Sequence, residues 1–299
     1  MLFILSTGRS GTVTLAQLLN QIPGIEAFHE KPPELVPEAR AYLKGDLPRD
    51  QLVALLRNTR KPSASRFEYA ESNQKFSFII DALREAFPKA RYVWLIRNGL
   101  EVVSSWAHRK NYWPHENKGI WSAHRIRGDE VGAMSPSQWA GLSPFGKCCW
   151  YWAWTNNKIE ADLKATDAKW MLLRLEDLDS RIHELASFVG LQGTDALEIP
   201  TANKSTGRVA RWHYWDRAQR ADFSHFCSDL MDRFYKGWRE RFVYTTGQVA
   251  RNEVLRVLSD RSASGRLLRS VTTLLPKPVR TKTAHLLNGR GILRYPIKD

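Results

Sequence analysis

Residues 2–20, LFILSTGRSGTVTLAQLLN, run from an apolar stretch of strand character through a Gly-bounded polar loop straight into a helix-forming segment. Leu2 to Leu5 suits a buried parallel strand, and 12–20 suits a helix. Between them Gly8 and Gly11 let the backbone turn and come close to an anion. Ser10, Thr12, Val13 and the first free N–H groups of the helix then present donors to negative charge. A nucleotide-hydrolysing P-loop reads GxxxxGK[ST], with its lysine on the terminal phosphates and its hydroxyl on magnesium. Here the loop is Thr7-Gly8-Arg9-Ser10-Gly11-Thr12, with arginine ahead of Ser-Gly-Thr and no such lysine. An ATPase or an ordinary kinase is disfavoured, and an anion site is retained. A short Gly/Ser turn after a strand is also a common plain connection, so the functional reading needs a second element.

Residues 91–106, RYVWLIRNGLEVVSSW, supply one. Tyr92 to Ile96 is again a continuous apolar run that ends in Arg97-Asn98-Gly99, after which Leu100 to Trp106 is compatible with a helix. Arg97 therefore sits at the carboxyl end of a strand, with Ser105 about two helical turns further on. A strand-end guanidinium and a helical hydroxyl can share one phosphate if the chain folds back over the sheet edge. Taken singly, each is equally an ordinary exposed polar residue.

In this order the two elements resemble the sulfotransferase superfamily, whose members take sulfuryl groups from 3′-phosphoadenosine-5′-phosphosulfate (PAPS). There a strand–loop–helix of the form [PG]-[RK]-S-G-T-[TS] holds the 5′-phosphosulfate, and a strand-end Arg with a Ser eight positions on holds the 3′-phosphate. Gly8-Arg9-Ser10-Gly11-Thr12 and Arg97 with Ser105 match both. Phe87-Pro88-Lys89-Ala90, Arg174-Leu175-Glu176-Asp177-Leu178 and Phe234-Tyr235 are similar to further family segments, so the likeness spans about residues 1–245. Gly99 stands where the family usually has proline, and Leu175 stands where it commonly has tyrosine. The resemblance implies a P-loop NTPase-like sulfotransferase fold, PAPS as co-substrate and no metal. It also implies that Arg9 neutralises the leaving bridging oxygen, much as loop lysines act in phosphoryl transfer. Arg109 and Lys204 are offered as further contacts to the 3′-phosphate. In members resembling the tyrosylprotein and bacterial glycan types, a glutamate about twenty residues after the loop arginine is the base. Glu30 lies at that spacing here, and His29 beside it is the alternative, since histidine titrates near neutrality with less tuning.

At 299 residues and 43% hydrophobic, the chain can bury one large core. The expected class is α/β, a central parallel sheet flanked by helices, with strands at 2–6, 77–81, 91–96 and 170–175. Helices are expected at 12–20, 50–58, 100–109, 147–165, 180–189 and 222–240, with 32–37 a Pro-rich loop. The expected division is a domain over 1–250 followed by a basic extension over 251–299. Within the former, 107–146 reads as a lid or acceptor-binding insertion. A strand starting at residue 2 leaves no room for a cleavable signal or an amino-terminal anchor, and no apolar run reaches the roughly 20 residues of a membrane span, so a cytoplasmic protein is expected. Cys148, Cys149 and Cys227 show neither CxxC nor Cys/His spacing and read as core residues rather than metal ligands.

The net charge is +14, of which +8 falls in residues 251–299, where eleven Lys/Arg face three Asp/Glu. The segment GRLLRSVTTLL in that tail could lie on an anionic membrane surface as a short amphipathic helix, or pack on the domain as a solvated one. No zinc-finger spacing or RNP-type motif supports nucleic acid as a partner. Trp106, Trp113, Trp121 and Trp139 fall in or beside 107–146, interleaved with His124, Arg125, Arg127 and other cations. Rings stack on sugar faces and guanidinium binds carboxylate or sulfate, which favours a hydroxyl-bearing carbohydrate or glycolipid acceptor. The competing classes are a small-molecule kinase, which would need a magnesium carboxylate and a phosphate lysine not evident here, and a non-catalytic basic adaptor.

Overall fold

The computed structural model describes residues 1–61, 68–113, 124–190, 212 and 215–242. Its centre is a sheet of five parallel strands: β1 (Leu2–Leu5), β2 (Ile25–His29), β3 (Glu68–Ser72), β4 (Arg91–Ile96) and β5 (Trp170–Arg174), in the spatial order β2-β3-β1-β4-β5. The apolar run of β1 has 0% exposure at every position, as a strand covered on both faces requires. Leu2 and Ile4 join the core beneath helix α1 (Thr12–Leu19), with Leu15, Leu18 and Leu19. Phe3 points the other way, into a ring cluster with Phe76, Phe87 and Tyr92. β1 pairs with β4 from Leu2↔Arg91 to Leu5↔Trp94. The connections leaving these two strands diverge to opposite sides of the sheet, so their carboxyl ends flank the switch point at which such sheets bind ligands.

Helices α2 (Val36–Leu43), α3 (Arg49–Thr59), α4 (Ile80–Ala86) and α5 (Gly99–His108) follow in order, and the longest helix is Pro144–Lys164. Residues 1–204 with 222–235 form one compact unit, and 205–221 with 236–299 a second. In the second unit Arg220 Nε donates to the Trp215 carbonyl at 3.1 Å, and the Arg239 guanidinium lies over the Trp238 ring. The basic stretch 251–299 and Lys204 lie outside the described residues. No helix among the described residues is long and apolar enough to cross a membrane.

The secondary structure differs from expectation at four places. Residues 77–81 are not a strand: Gln74–Phe78 is a 3₁₀ turn and α4 follows it. The Ser77 hydroxyl accepts from the Ser6 N–H and donates to the Ser6 carbonyl, both at 3.0 Å, which fastens this segment beyond the end of β1 instead of beside it. The strands in question are instead β2 and β3, whose mixed sequences IEAFH and EYAES carry no apolar run. α2 begins within the Pro-rich stretch, and 107–146 contains a helix, Pro136–Gly141, with a capping box on Ser135 and Gln138. The last long helix runs Arg217–Phe234 and is separated from Trp238–Phe242 by Gly237, at φ 78°.

β3 succeeds as an inner strand because its charge is neutralised inside the protein. Glu71 and Arg60, both at 0% exposure, pair at 3.1 Å. Tyr69 Oη donates to Glu71 Oε2 at 2.6 Å, and Asn73 Nδ2 to Oε1 at 3.1 Å. The rest of the guanidinium reaches outward, donating to the carbonyls of Lys31 and Pro33 at 2.9 and 2.7 Å, while the Lys31 N–H donates to Glu71 Oε1 at 3.2 Å. The turn after β2 is thereby tied to the core. Leaving either charge buried without its partner costs about 3–5 kcal/mol. Glu71→Gln and Arg60→Met should each lower unfolding free energy by about that amount in urea titrations. The double variant Arg60→Met/Glu71→Leu should lose less than the sum of the two.

Candidate functional site

The loop between β1 and α1 folds over itself. Gly8, Arg9 and Gly11 have φ of 72°, 56° and 83°. At Gly11 a Cβ would collide with the Leu175 side chain and at Gly8 it would press on the movable end of Gln74, and the positive φ at both positions strains any side chain. The Ser10 hydroxyl is buried and engaged within the loop, with Thr7 Oγ1 at 3.0 Å and the Gly8 carbonyl at 3.1 Å. Ser10 thus shapes the cradle. The first helical bond runs from Leu15 N–H to the Gly11 carbonyl at 3.0 Å, so the N–H groups of Thr12, Val13 and Thr14 have no partner within the helix. They form the positive end of the α1 dipole.

β4 brings the second element against this loop. The Arg97 guanidinium donates to the Arg9 carbonyl at 3.0 Å, and Arg9 Nε donates to Ser105 Oγ at 3.1 Å. Arg9, Arg97 and Ser105 therefore form one group, with Arg9 between the other two. Arg97 is set from behind: its carbonyl accepts from Trp152 Nε1 at 3.3 Å, and the next N–H, that of Asn98, donates to Glu176 Oε1 at 2.9 Å. Asn98 then caps α5 by accepting from the Leu100 N–H. The Arg174–Leu178 segment acts in the same way, for Glu176 also accepts from the Tyr235 hydroxyl at 3.3 Å.

Glu30 stands at the end of β2 with φ 51° and its N–H donating to the Ser72 carbonyl at 2.9 Å. Its Oε1 pairs with the Lys75 ammonium at 3.2 Å and accepts from Gln74 Nε2 at 3.3 Å. The Lys75 side chain is only 5% exposed, and burial, opposed by the charge of Glu30, lowers its pKa from 10.5 to about 8. His29 is exposed, and its Nδ1 lies 3.0 Å from Ser72 Oγ.

These groups line one cavity of about 830 Å³. Gly8, Arg9, Gly11, Thr12, Val13, Arg97 and Arg109 form part of its wall, as do His29 and Glu30. Phe78, Trp106 and Tyr151 provide apolar surface, and Arg40 and Arg125 add charge. Among the described residues, the wall carries six Arg or Lys side chains and one carboxylate, a balance that favours anions. Among the described residues, five non-glycine residues have positive φ: Arg9, Glu30, Leu35, Lys110 and Tyr112. Arg9 and Glu30 line the cavity, and each of the others adjoins a residue that does, which concentrates backbone strain around the site.

Of the residues singled out in the sequence, the structure brings together Arg9, Arg97, Ser105, His29 and Glu30, with Arg109 in the same wall. Lys204 is outside the described residues. Trp139 is 3% exposed and packs edge-on against Trp150, so it serves the core, while Trp106 is buried and still borders the cavity. The three cysteines are buried and free, and no group of three His, Cys, Asp or Glu among the described residues could hold a metal ion. Gln74, Lys75 and Arg40 went unread. Lys75 stands just before the apolar run that resembled a strand, and only the β3 topology turns it toward Glu30.

Residues 1–206 match the family model described as Sulfotransferase domain, over half of the chain. Among solved structures the chain is similar to a sulfotransferase from Alicyclobacillus acidocaldarius, at 15% identity over 78% of this chain and 95% of that one, with a TM-score of 0.46. It is also similar to the sulfotransferase domain from the curacin biosynthetic pathway, at 15% identity, 71% and 81% coverage and a TM-score of 0.41. A third similar structure is the sulfotransferase domain of the Synechococcus PCC 7002 olefin synthase, at 18% identity, 68% and 78% coverage and a TM-score of 0.40. No curated protein matches.

The buried ammonium yields a signed prediction. The folded chain gives up the Lys75 proton near pH 8, and the unfolded chain keeps it to about 10.5. Between those values the unfolded state binds more protons, so stability attributable to Lys75 should rise with pH. In urea unfolding, the wild type should gain on Lys75→Met across this window. A difference that stays flat or falls would contradict the burial of a charged Lys75.

Proposed function

The chain belongs to the sulfotransferase domain family, and from that premise we propose that it moves a sulfuryl group from PAPS to a hydroxyl of an acceptor. The observation that carries the reading is the convergence of Arg97 and Arg9, the latter bonded to Ser105, from two separate strand–helix junctions, on the wall of a cavity that also contains Glu30. The first-turn N–H groups of α1 and the Arg9 guanidinium suit the 5′-phosphosulfate, and Arg97 with Ser105 suits the 3′-phosphate. Arg109, in the same wall, is a further contact to that phosphate, and Lys204 is retained on sequence grounds.

PAPS supplies the activated sulfuryl group. The acceptor oxygen forms a bond to sulfur while the bond from sulfur to the bridging phosphate oxygen breaks, and adenosine 3′,5′-bisphosphate leaves. The acceptor proton passes to a base in the cavity, and the leaving charge falls on the oxygen that Arg9 and the α1 N–H groups would hold. Glu30 is the preferred base. Its backbone is fixed by Ser72 and by the Arg60–Glu71 network, and Lys75 and Gln74 orient one carboxylate oxygen, leaving the other for a substrate. His29 is the alternative, steadied through Ser72. No step requires a metal ion. Hydroxyl-bearing carbohydrates and glycolipids remain the favoured acceptors, since Phe78, Trp106 and Tyr151 give an apolar, ring-lined wall. The basic tail is proposed as a peripheral contact to anionic membrane in an otherwise cytoplasmic enzyme.

Arg97→Ala should weaken binding of adenosine 3′,5′-bisphosphate by about 1.5–3 kcal/mol and abolish the preference for it over the 5′-monophosphate. Unchanged selectivity in a folded variant would remove Arg97 from the site. Glu30→Gln should lower turnover by roughly 10²–10⁴ with donor affinity nearly intact. If His29→Asn is inactive instead and Glu30→Gln is not, the two roles exchange.

A further inference from the structure

Arg125 is a cation in the cavity wall with no carboxylate beside it among the described residues. Arg40, in the same wall, is bound by Glu130 through Nε at 3.0 Å, and Arg97 lies 3.7 Å from Glu101. Among the described residues Arg125 donates to an amide oxygen, Asn111 Oδ1 at 3.0 Å, and its guanidinium lies 5.6 Å from the centre of the Tyr112 ring. No Asp or Glu among the described residues pairs with it. It is nonetheless held in place: the Tyr112 hydroxyl donates to the carbonyl of the adjoining Ile126 at 2.6 Å, and Tyr112 itself has φ 63°. Burial lowers the Arg125 pKa, opposed in part by Tyr112, Cys148 and Tyr151, so the folded chain keeps this charge partly desolvated. A desolvated, prearranged cation costs stability unless a ligand supplies the counter-charge.

The surroundings define where that counter-charge would lie. Tyr151 stacks on Trp106 at 4.4 Å, and both rings line the cavity beside Tyr112. The charge of Glu30 raises the Tyr151 pKa, adding to the effect of burial, and that of Arg125 lowers it, so the phenol lies within electrostatic reach of both. A ligand lying along this aromatic face would meet Glu30 and Arg125 with different parts of its structure.

We propose that Arg125, held by Asn111 and Tyr112, binds an anionic group of the acceptor, so that this enzyme sulfates an acidic hydroxyl compound, bearing a carboxylate, a phosphate or a sulfate ester, in preference to its neutral analogue. The inference rests on the sulfotransferase reading and deepens it. Specificity follows from unequal cost: a neutral acceptor leaves the half-buried guanidinium without a carboxylate-type partner, whereas an acidic one forms a charge-assisted pair that also fixes the hydroxyl relative to the base.

The test is transfer from labelled PAPS to phenols, glycosides and glycolipids in pairs that differ only by a carboxylate, a phosphate or a sulfate ester. The three acid types distinguish which anion is read. The acidic member should be used with at least about tenfold higher kcat/KM. In Arg125→Gln that ratio should collapse, mainly through KM for the acidic member, and Arg125→Lys should restore part of it. Binding of adenosine 3′,5′-bisphosphate to each variant reports an intact loop. Preference for the neutral members, or an acid preference that survives in Arg125→Gln with bisphosphate binding intact, overturns the proposal. Failure of the wild type to bind the bisphosphate overturns instead the sulfotransferase reading beneath it.

Discussion

Two charges sealed from water hold this site together. Glu71, on an inner strand, is acceptable only because Arg60, Tyr69, Asn73 and the Lys31 N–H occupy its oxygens. The neighbouring residues extend that order to the chemistry. Ser72 donates to the Thr12 carbonyl at 3.1 Å and contacts His29, its carbonyl accepts from Glu30, and Asn73 accepts from the Lys75 N–H at 3.0 Å. Two successive residues, Ser72 and Asn73, thus touch the start of α1, both base candidates and the lysine that pairs with Glu30. An interaction with little net value for stability can still be decisive for geometry, because the alternative arrangements leave an uncompensated charge.

The second organising constraint is the pairing of β1 with β4. Parallel neighbours place their carboxyl ends side by side, and the strain at Arg9 and Glu30 is sustained because packed elements on both sides fix the flanking backbone. Around the cavity the charge is unequal. Arg40 is neutralised by Glu130 and Lys75 by Glu30, while Arg125 has no carboxylate partner among the described residues. This imbalance suits a donor with several negative charges and, on our reading, an acceptor that carries one of its own.

Much of the fold was legible where local sequence and final environment agree. β1, its loop, α1, β4 and α5 are apolar runs with glycine or arginine punctuation, and they fold as their periodicity predicts. β2 and β3 were not legible, because their identity as strands depends on partners distant in sequence: an EYAES segment is stable at the centre of a sheet only if Arg60 meets it. The FSFII run misled for the complementary reason. Its apolar residues are buried, but Ser77 and the α4 period make it a turn and a helix. Among the candidate site residues, Arg9, Arg97, Ser105 and Glu30 are named from the motifs and the family resemblance they carry, whereas Lys75 and Gln74 have no local mark and reach the cavity through the crossover alone.

Gly11 and Leu175, far apart in the chain, occupy what is in effect one volume: the leucine side chain fills the space where a Cβ at position 11 would stand. Their evolutionary histories are therefore linked and unequal. Position 175 can drift among residues that respect this boundary, but position 11 is barred twice, once by Leu175 and once by its own backbone at φ 83°. A smaller residue at 175 lifts only the first bar. The glycine is thus an entrenched site that no single compensating substitution releases.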